Sequence, residues 1–218
     1  MLQRYLVAAL SALLVASLGA DLAAAHSSGH GKARPDAKAD KDEDRADLEA
    51  ELARIRQATK RFRDINVALA EGYVTTAPPL CVTAKIEGQP KQLGAMGVHY
   101  FRPDLLGITQ TSPRVDGTGT NTDFTRPSVL VYEPQANGSY KLVAVENLVF
   151  AKAWHQQHGA NAIPSFKGNE YYYMHDNPLT PHDEAHGFEP HYELHIWLYR
   201  DNPAGIFMPF NTRSHCPE

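Results

Sequence analysis

Cysteine is nearly absent from this 218-residue chain: the two that occur are Cys81 and Cys216. Two cysteines leave a disulfide or a pair of metal-binding thiolates. A route to an oxidising compartment favours the disulfide, closing a loop of about 135 residues. Basic charge is not in surplus either. A formal net charge of −4 gives no reason to expect nucleic acid as a partner. Beyond the first 20 residues there is no long apolar run, so no membrane association is expected once the amino-terminal segment is removed. The familiar catalytic signatures are missing as well: no G-x-S-x-G, G-x-x-x-x-G-K, G-x-G-x-x-G or H-E-x-x-H occurs.

The chain opens with a basic residue, Arg4, an uncharged apolar run from Tyr5 to Ala20, and small residues at Ala23 and Ala25. That layout predicts a signal peptide over residues 1–25 and a secreted or periplasmic product. Residues 26–42 carry almost no apolar side chains and read as a disordered linker. From about Glu43 to Glu71, Leu48, Leu52, Ile55, Thr59, Phe62, Ile65 and Leu69 recur at three- and four-residue steps, which predicts one long amphipathic helix. Gly72 offers it a stop, and its free face offers a surface for a second copy of the chain.

After Tyr73 the pattern changes to short strands, best marked at Met96–Phe101, Ser128–Glu133, Tyr140–Phe150 and Tyr192–Tyr199. Asn137-Gly138 predicts a hairpin between the second and third of these. A short helix is expected around Lys152–His158, and an exposed loop over Ser112–Pro127. The expected fold of residues 43–218 is therefore a single α+β domain: a long amino-terminal amphipathic helix on a small, mainly antiparallel sheet, closed by one disulfide.

What the chain does have is histidine: 11 in all, eight of them from His155 onward. In His191-Tyr-Glu193-Leu-His195-Ile-Trp197-Leu-Tyr199, polar or aromatic residues alternate with apolar ones. On a strand this places His191, Glu193 and His195 in one row, roughly 6.5 to 7 Å apart. His99 lies mid-strand, and Glu146 interrupts an apolar strand, where it needs a partner if it faces inward. Imidazoles and carboxylates in such a set suit a divalent transition metal, Zn or Cu. The expected ligands are His99, Glu146, His191 and His195, with Glu193 as a further ligand, a base or a group that orients an imidazole. His182 and His186 repeat the spacing of a zinc-protease helix, but Pro181 and Gly187 leave that segment too short for one.

Met-Gly-Val-His-Tyr at 96–100, Val-Tyr-Glu-Pro at 131–134, Ala-Trp-His at 153–155 and His-Tyr-Glu-Leu-His-Ile-Trp-Leu-Tyr-Arg-Asp-Asn-Pro-Ala-Gly-Ile-Phe at 191–207 resemble a family of exported bacterial proteins of unknown function. The likeness covers roughly residues 60–216 and implies a secreted bacterial domain without assigning catalysis. Three functions follow as expectations. The first is a His/Glu site for a metal ion or small polar ligand, with hydrolysis or lyase chemistry if Glu193 or Glu146 serves as base. The second is a metal-free small-molecule pocket built from Tyr171, Tyr172, Tyr173, Phe166, Phe188, Trp197, Tyr199, Phe207 and Phe210. The third is an interaction domain that uses the long helix.

Overall fold

The computed structural model describes residues 36–217; the expected signal peptide, and the linker up to residue 35, lie outside them. The helices are α1 (Asp36–Thr59), α2 (Ile65–Ala70), α3 (Pro103–Leu106) and α4 (Ala151–His158). The strands are β1 (Cys81–Thr83), β2 (Ala95–Phe101), β3 (Ile108–Gln110), β4 (Asp116–Gly117), β5 (Val129–Pro134), β6 (Tyr140–Phe150), β7 (Ser165–Phe166), β8 (Asn169–Glu170), β9 (Tyr172–Met174) and β10 (His191–Ile196). Six of them form one antiparallel sheet in the order β1-β2-β5-β6-β10-β9. Cys81 and Cys216 form a disulfide. Among the described residues no helix is long and apolar enough to cross a membrane.

The expected single helix over 43–71 is broken. Helix α1 begins at Asp36 and stops at Thr59, a 3-10 turn spans Lys60–Arg63, and Asp64 is extended before α2. The break has a visible cause. The Asp64 side chain takes the Asn66 amide at 2.9 Å, so that amide does not close a turn onto Phe62. The Phe62 carbonyl instead accepts from the hydroxyl of Tyr132 on the sheet, at 2.7 Å. Nor does α1 show an apolar stripe over its described side chains: residues 42–47 are exposed, and from residue 42 to Thr59 only Ile55 and Thr59 are fully buried.

Both faces of the sheet are buried. Tyr192, Leu194 and Ile196 of β10 pack with Val145 and Val149 of β6, Leu130 and Tyr132 of β5 and Tyr100 of β2 beneath Ile55 and Phe62. The opposite face carries Val129, Leu148 and Phe150, covered by Leu106 and Phe188, and further along Val131, Val143, Ala144 and Trp197. Because side chains alternate along a strand, the same parity that buries Leu194 under the helices turns His191, Glu193 and His195 to this second face. The Asn137-Gly138 hairpin joins β5 and β6 as expected, with Gly138 at φ 81°. The 112–127 segment is not wholly exposed: it contributes β4 to a pair with β3 and buries Gly117, Gly119 and Phe124.

The second face is roofed by the segment 176–190, which is clamped from one residue. The Arg114 guanidinium pairs with Asp176 at 2.7 Å and Asp183 at 2.8 Å, and donates to the Phe188 carbonyl at 2.7 Å. This clamp is partly exposed and is worth only a modest amount energetically. Its role is geometric, holding His186 and Phe188 over the sheet.

Candidate metal centre

Strand register sets the site. His195 of β10 lies directly opposite Glu146 of β6, which in turn lies opposite Val129 of β5. His99 of β2 lies opposite Val131 of β5. His99 and Glu146 thus stand two strands apart, about 10 Å between backbones, and their side chains reach toward each other across the short valines of β5. Larger residues on β5 would fill that gap.

Three atoms meet there. Nε2 of His99 and Nε2 of His195 are 3.4 Å apart, and each is 3.2 Å from Oε2 of Glu146. Donors bound at ~2.0–2.1 Å in a tetrahedral shell are separated by about 3.3–3.4 Å, so this triangle has the dimensions of one face of such a shell. Two imidazoles and one carboxylate on a single face is also the set that leaves the remaining positions open to other ligands. Glu146 Oε2 is buried and has no hydrogen-bond partner despite its two close neighbours, whereas the two Nε2 atoms are within hydrogen-bond reach of each other. A cation fits the donor set.

His99 and Glu146 form part of the wall of a cavity of about 60 Å³, lined also by Val82, Phe101, Leu148 and Phe188, with Thr75, Thr76 and Leu80 at its exposed side. One water needs roughly 10–15 Å³ of such space, so the cavity has room for an ion with a few small ligands. Among the described residues no lysine or arginine lines it. Burial lowers His99 to about 4 and lowers His195 too, which keeps both rings in the neutral form that ligates. Burial pushes Glu146 up to about 8, while the His195 ring pulls the other way. For Glu193 burial also acts upward, but His191 and the surrounding imidazoles outweigh it and hold this carboxyl low. With no lysine or arginine among the described residues of the wall, a bound cation is the direct way to keep Glu146 ionised.

Of the four expected ligands, His99, Glu146 and His195 converge. His191 shares their face but turns elsewhere: its Nδ1 donates to the Glu189 carbonyl at 3.0 Å, and its Nε2 is 3.6 Å from Glu193 Oε2. Glu193 Oε1 lies 4.0 Å from His195 Nδ1, on the far side of the ring from the triangle, and neither atom has a hydrogen-bond partner. His186 enters the cavity from the roof, and Glu87, in the turn after β1, stands 2.5 Å from it. Nothing in the sequence distinguishes Glu87 from an ordinary surface acid in the Lys85-Ile86-Glu87-Gly88 turn, yet it is 4% exposed. His155 is not part of the site; it meets the Tyr192 hydroxyl at 3.0 Å on the helix side. His158, His175, His182 and His215 are exposed. The aromatic residues do not share one pocket either. Phe188 roofs the cavity, Tyr171, Phe166 and Phe207 belong to the helix-side core, and Trp197 packs with Val131.

Gly88 couples the Glu87 turn to the roof. It sits at φ +69°, and a Cβ there would lie 2.6 Å from the His182 ring. Gly88→Ala is expected to cost about 1–2 kcal/mol of backbone strain and to swing His182 aside, loosening the roof. Gly138→Ala, at φ +81° with open space around it, carries the backbone cost alone. Metal affinity measured on both variants should fall for Gly88→Ala and stay unchanged for Gly138→Ala; equal affinities would show that this contact does not hold the roof.

Neither a family model, a curated protein nor a solved structure matches this chain. The functional reading therefore rests on its own geometry.

Proposed function

We propose that this chain is an exported metalloprotein, secreted or periplasmic, whose His99, His195 and Glu146 hold one divalent transition metal, Zn or Cu, facing a small cavity. The resemblance of its strand motifs to exported bacterial proteins and the signal-like start support the location. The disulfide agrees with it. The observation that carries the metal is the buried triangle of donor atoms 3.2–3.4 Å on a side with an unpartnered Glu146 oxygen at one corner.

A cation in this position supplies Lewis acidity to one small polar ligand. The protein's own groups do the rest. Phe101, Leu148 and Phe188 keep bulk water away, and Glu193, which lines the cavity, is the group placed to accept a proton from a bound ligand.

Metal content of protein purified without an affinity tag tests the reading. Wild type should carry or take up Zn or Cu. Glu146→Gln, which keeps the shape and removes the charge, should weaken binding by at least about 100-fold, since loss of an outer partner of a ligand already costs 10–100-fold. His99→Ala/His195→Ala should abolish it. Wild type that takes up neither metal would overturn the proposal.

A further inference from the structure

We propose that the hollow between α1, the 3-10 turn and the segment after β10 is an anion site that takes a small phosphate compound carrying two or more negative charges. It stands independently of the metal centre. Arg56 of α1, Arg63 of the turn, Tyr199 and Arg200 line a hollow of about 460 Å³, and an adjoining one of about 240 Å³ shares Arg56, Arg63 and Tyr199 and adds Lys60. The larger has the size of a small-ligand site. Positions 56, 60 and 63 follow at steps of four and three residues, which brings their side chains to one side of the chain.

The basic residues of this stretch fall into two groups. Arg54 is bonded to Glu51 at 2.5 and 2.9 Å, and Arg61 to Glu71 at 2.6 and 2.9 Å. Arg56, Lys60 and Arg63 are exposed and form no ion pair among the described residues. The remaining wall charges are already balanced, Arg200 by Glu133 and Asp201 by Arg213. Three cations therefore gather around one hollow in a chain whose net charge is −4. Like charges at this spacing repel, and a bound anion removes that cost.

Two of the three are also held in place. The Arg56 guanidinium donates from Nε and Nη2 to the Leu198 carbonyl at 3.3 and 3.2 Å, leaving Nη1 uncommitted. The Arg63 guanidinium stands 5.1 Å from the centre of the Tyr199 ring. That ring is pinned by its hydroxyl, which donates to the Arg56 carbonyl at 3.1 Å and meets the buried Thr59 hydroxyl at 2.9 Å. On the opposite wall, Nε of Arg200 is buried with no hydrogen-bond partner. A guanidinium fixed in advance loses little freedom on binding, and its planar fork matches two oxygens of a phosphate. One carboxylate would engage one fork; three cations around a shared wall suit the higher charge of a phosphate compound.

Calorimetric titration of untagged protein with inorganic pyrophosphate tests this. Wild type is expected to bind with a dissociation constant below about 1 mM at low salt, and more weakly as NaCl is raised. Lys60→Gln/Arg63→Gln, on two exposed side chains, should weaken binding by at least about 10-fold. Arg54→Gln should leave it unchanged, and so should Glu146→Gln, which separates this hollow from a metal-bound anion. Sedimentation with phosphatidylcholine vesicles containing phosphatidic acid distinguishes a free compound from a lipid headgroup, and the protein is expected to stay in solution. No binding of pyrophosphate, binding that survives Lys60→Gln/Arg63→Gln, binding lost in Glu146→Gln, or sedimentation with the vesicles would each overturn the proposal.

Discussion

Protein stripped of metal is expected to lose stability as pH rises from 6.5 toward 9, and metal-loaded protein is not. The sign follows from which state holds the protons. Burial places Glu146 at about 8 and Glu87 at about 9, against an ordinary value of 4.5, so in this window the folded state keeps protons that the unfolded state has released. Each unit of rising pH then favours unfolding, by at most about 1.4 kcal/mol per carboxyl. His99 and His186 work in the opposite direction. Their folded values of about 4 make stability rise with pH only until their ordinary value of 6.5 is passed, and above it they contribute no slope. A bound cation keeps the carboxylates ionised in the folded state and adds about 4 kcal/mol when free metal is 1,000 times its dissociation constant. Urea midpoints at pH 6.5, 7.5 and 8.5, with chelator and with metal, should diverge with pH. Parallel, flat profiles would show that the buried carboxylates carry no such cost.

The second large effect concerns the disulfide. Cys81 and Cys216 are 135 residues apart, and chain-entropy arguments put the stabilisation from closing a loop of that size at about 4–5 kcal/mol. Cys81→Ser/Cys216→Ser should therefore lower the melting temperature by roughly 10–20 °C. It should also weaken metal binding, because β1 brings Val82 into the cavity wall and leads into the turn that carries Glu87. The carboxyl-terminal tail retains other anchors: Asn211 pairs with Ala95, and the His215 amide donates to Glu133 at 3.0 Å. A melting point within two or three degrees of wild type would show that these suffice. Thermal melts of the double variant and of reduced wild type measure the effect.

How far the site could be read from the residues depended on whether a local rule governed each part. Alternation along 191–199 gives the face of His191, Glu193 and His195 without any tertiary knowledge, and a glutamate inside the apolar run of β6 marks Glu146 as a buried charge. The β5–β6 hairpin follows from Asn137-Gly138. The neighbours β2 and β10 do not, since no short connection specifies that β10 lies along β6 or that β2 flanks β5. Separating His191 from the converging three depended on a bond to Glu189 that fixes its ring. The break in the expected long helix is only half local: the Asp64 side chain that takes the Asn66 amide is close by, but the Tyr132 hydroxyl that satisfies the freed Phe62 carbonyl lies 70 residues along the chain. Glu87 was invisible because its burial comes from a roof more than 90 residues further along the chain.

The sheet ends on both sides in strands of only three residues, β1 and β9. A stranger's strand laid along either border finds few free amides and carbonyls to bind, and at β1 the cystine tether leaves little room to slide into register. Among the described residues the main sheet therefore presents no long border along which crowded copies could zip into fibres, a protection that comes from brevity rather than from a surplus of charge.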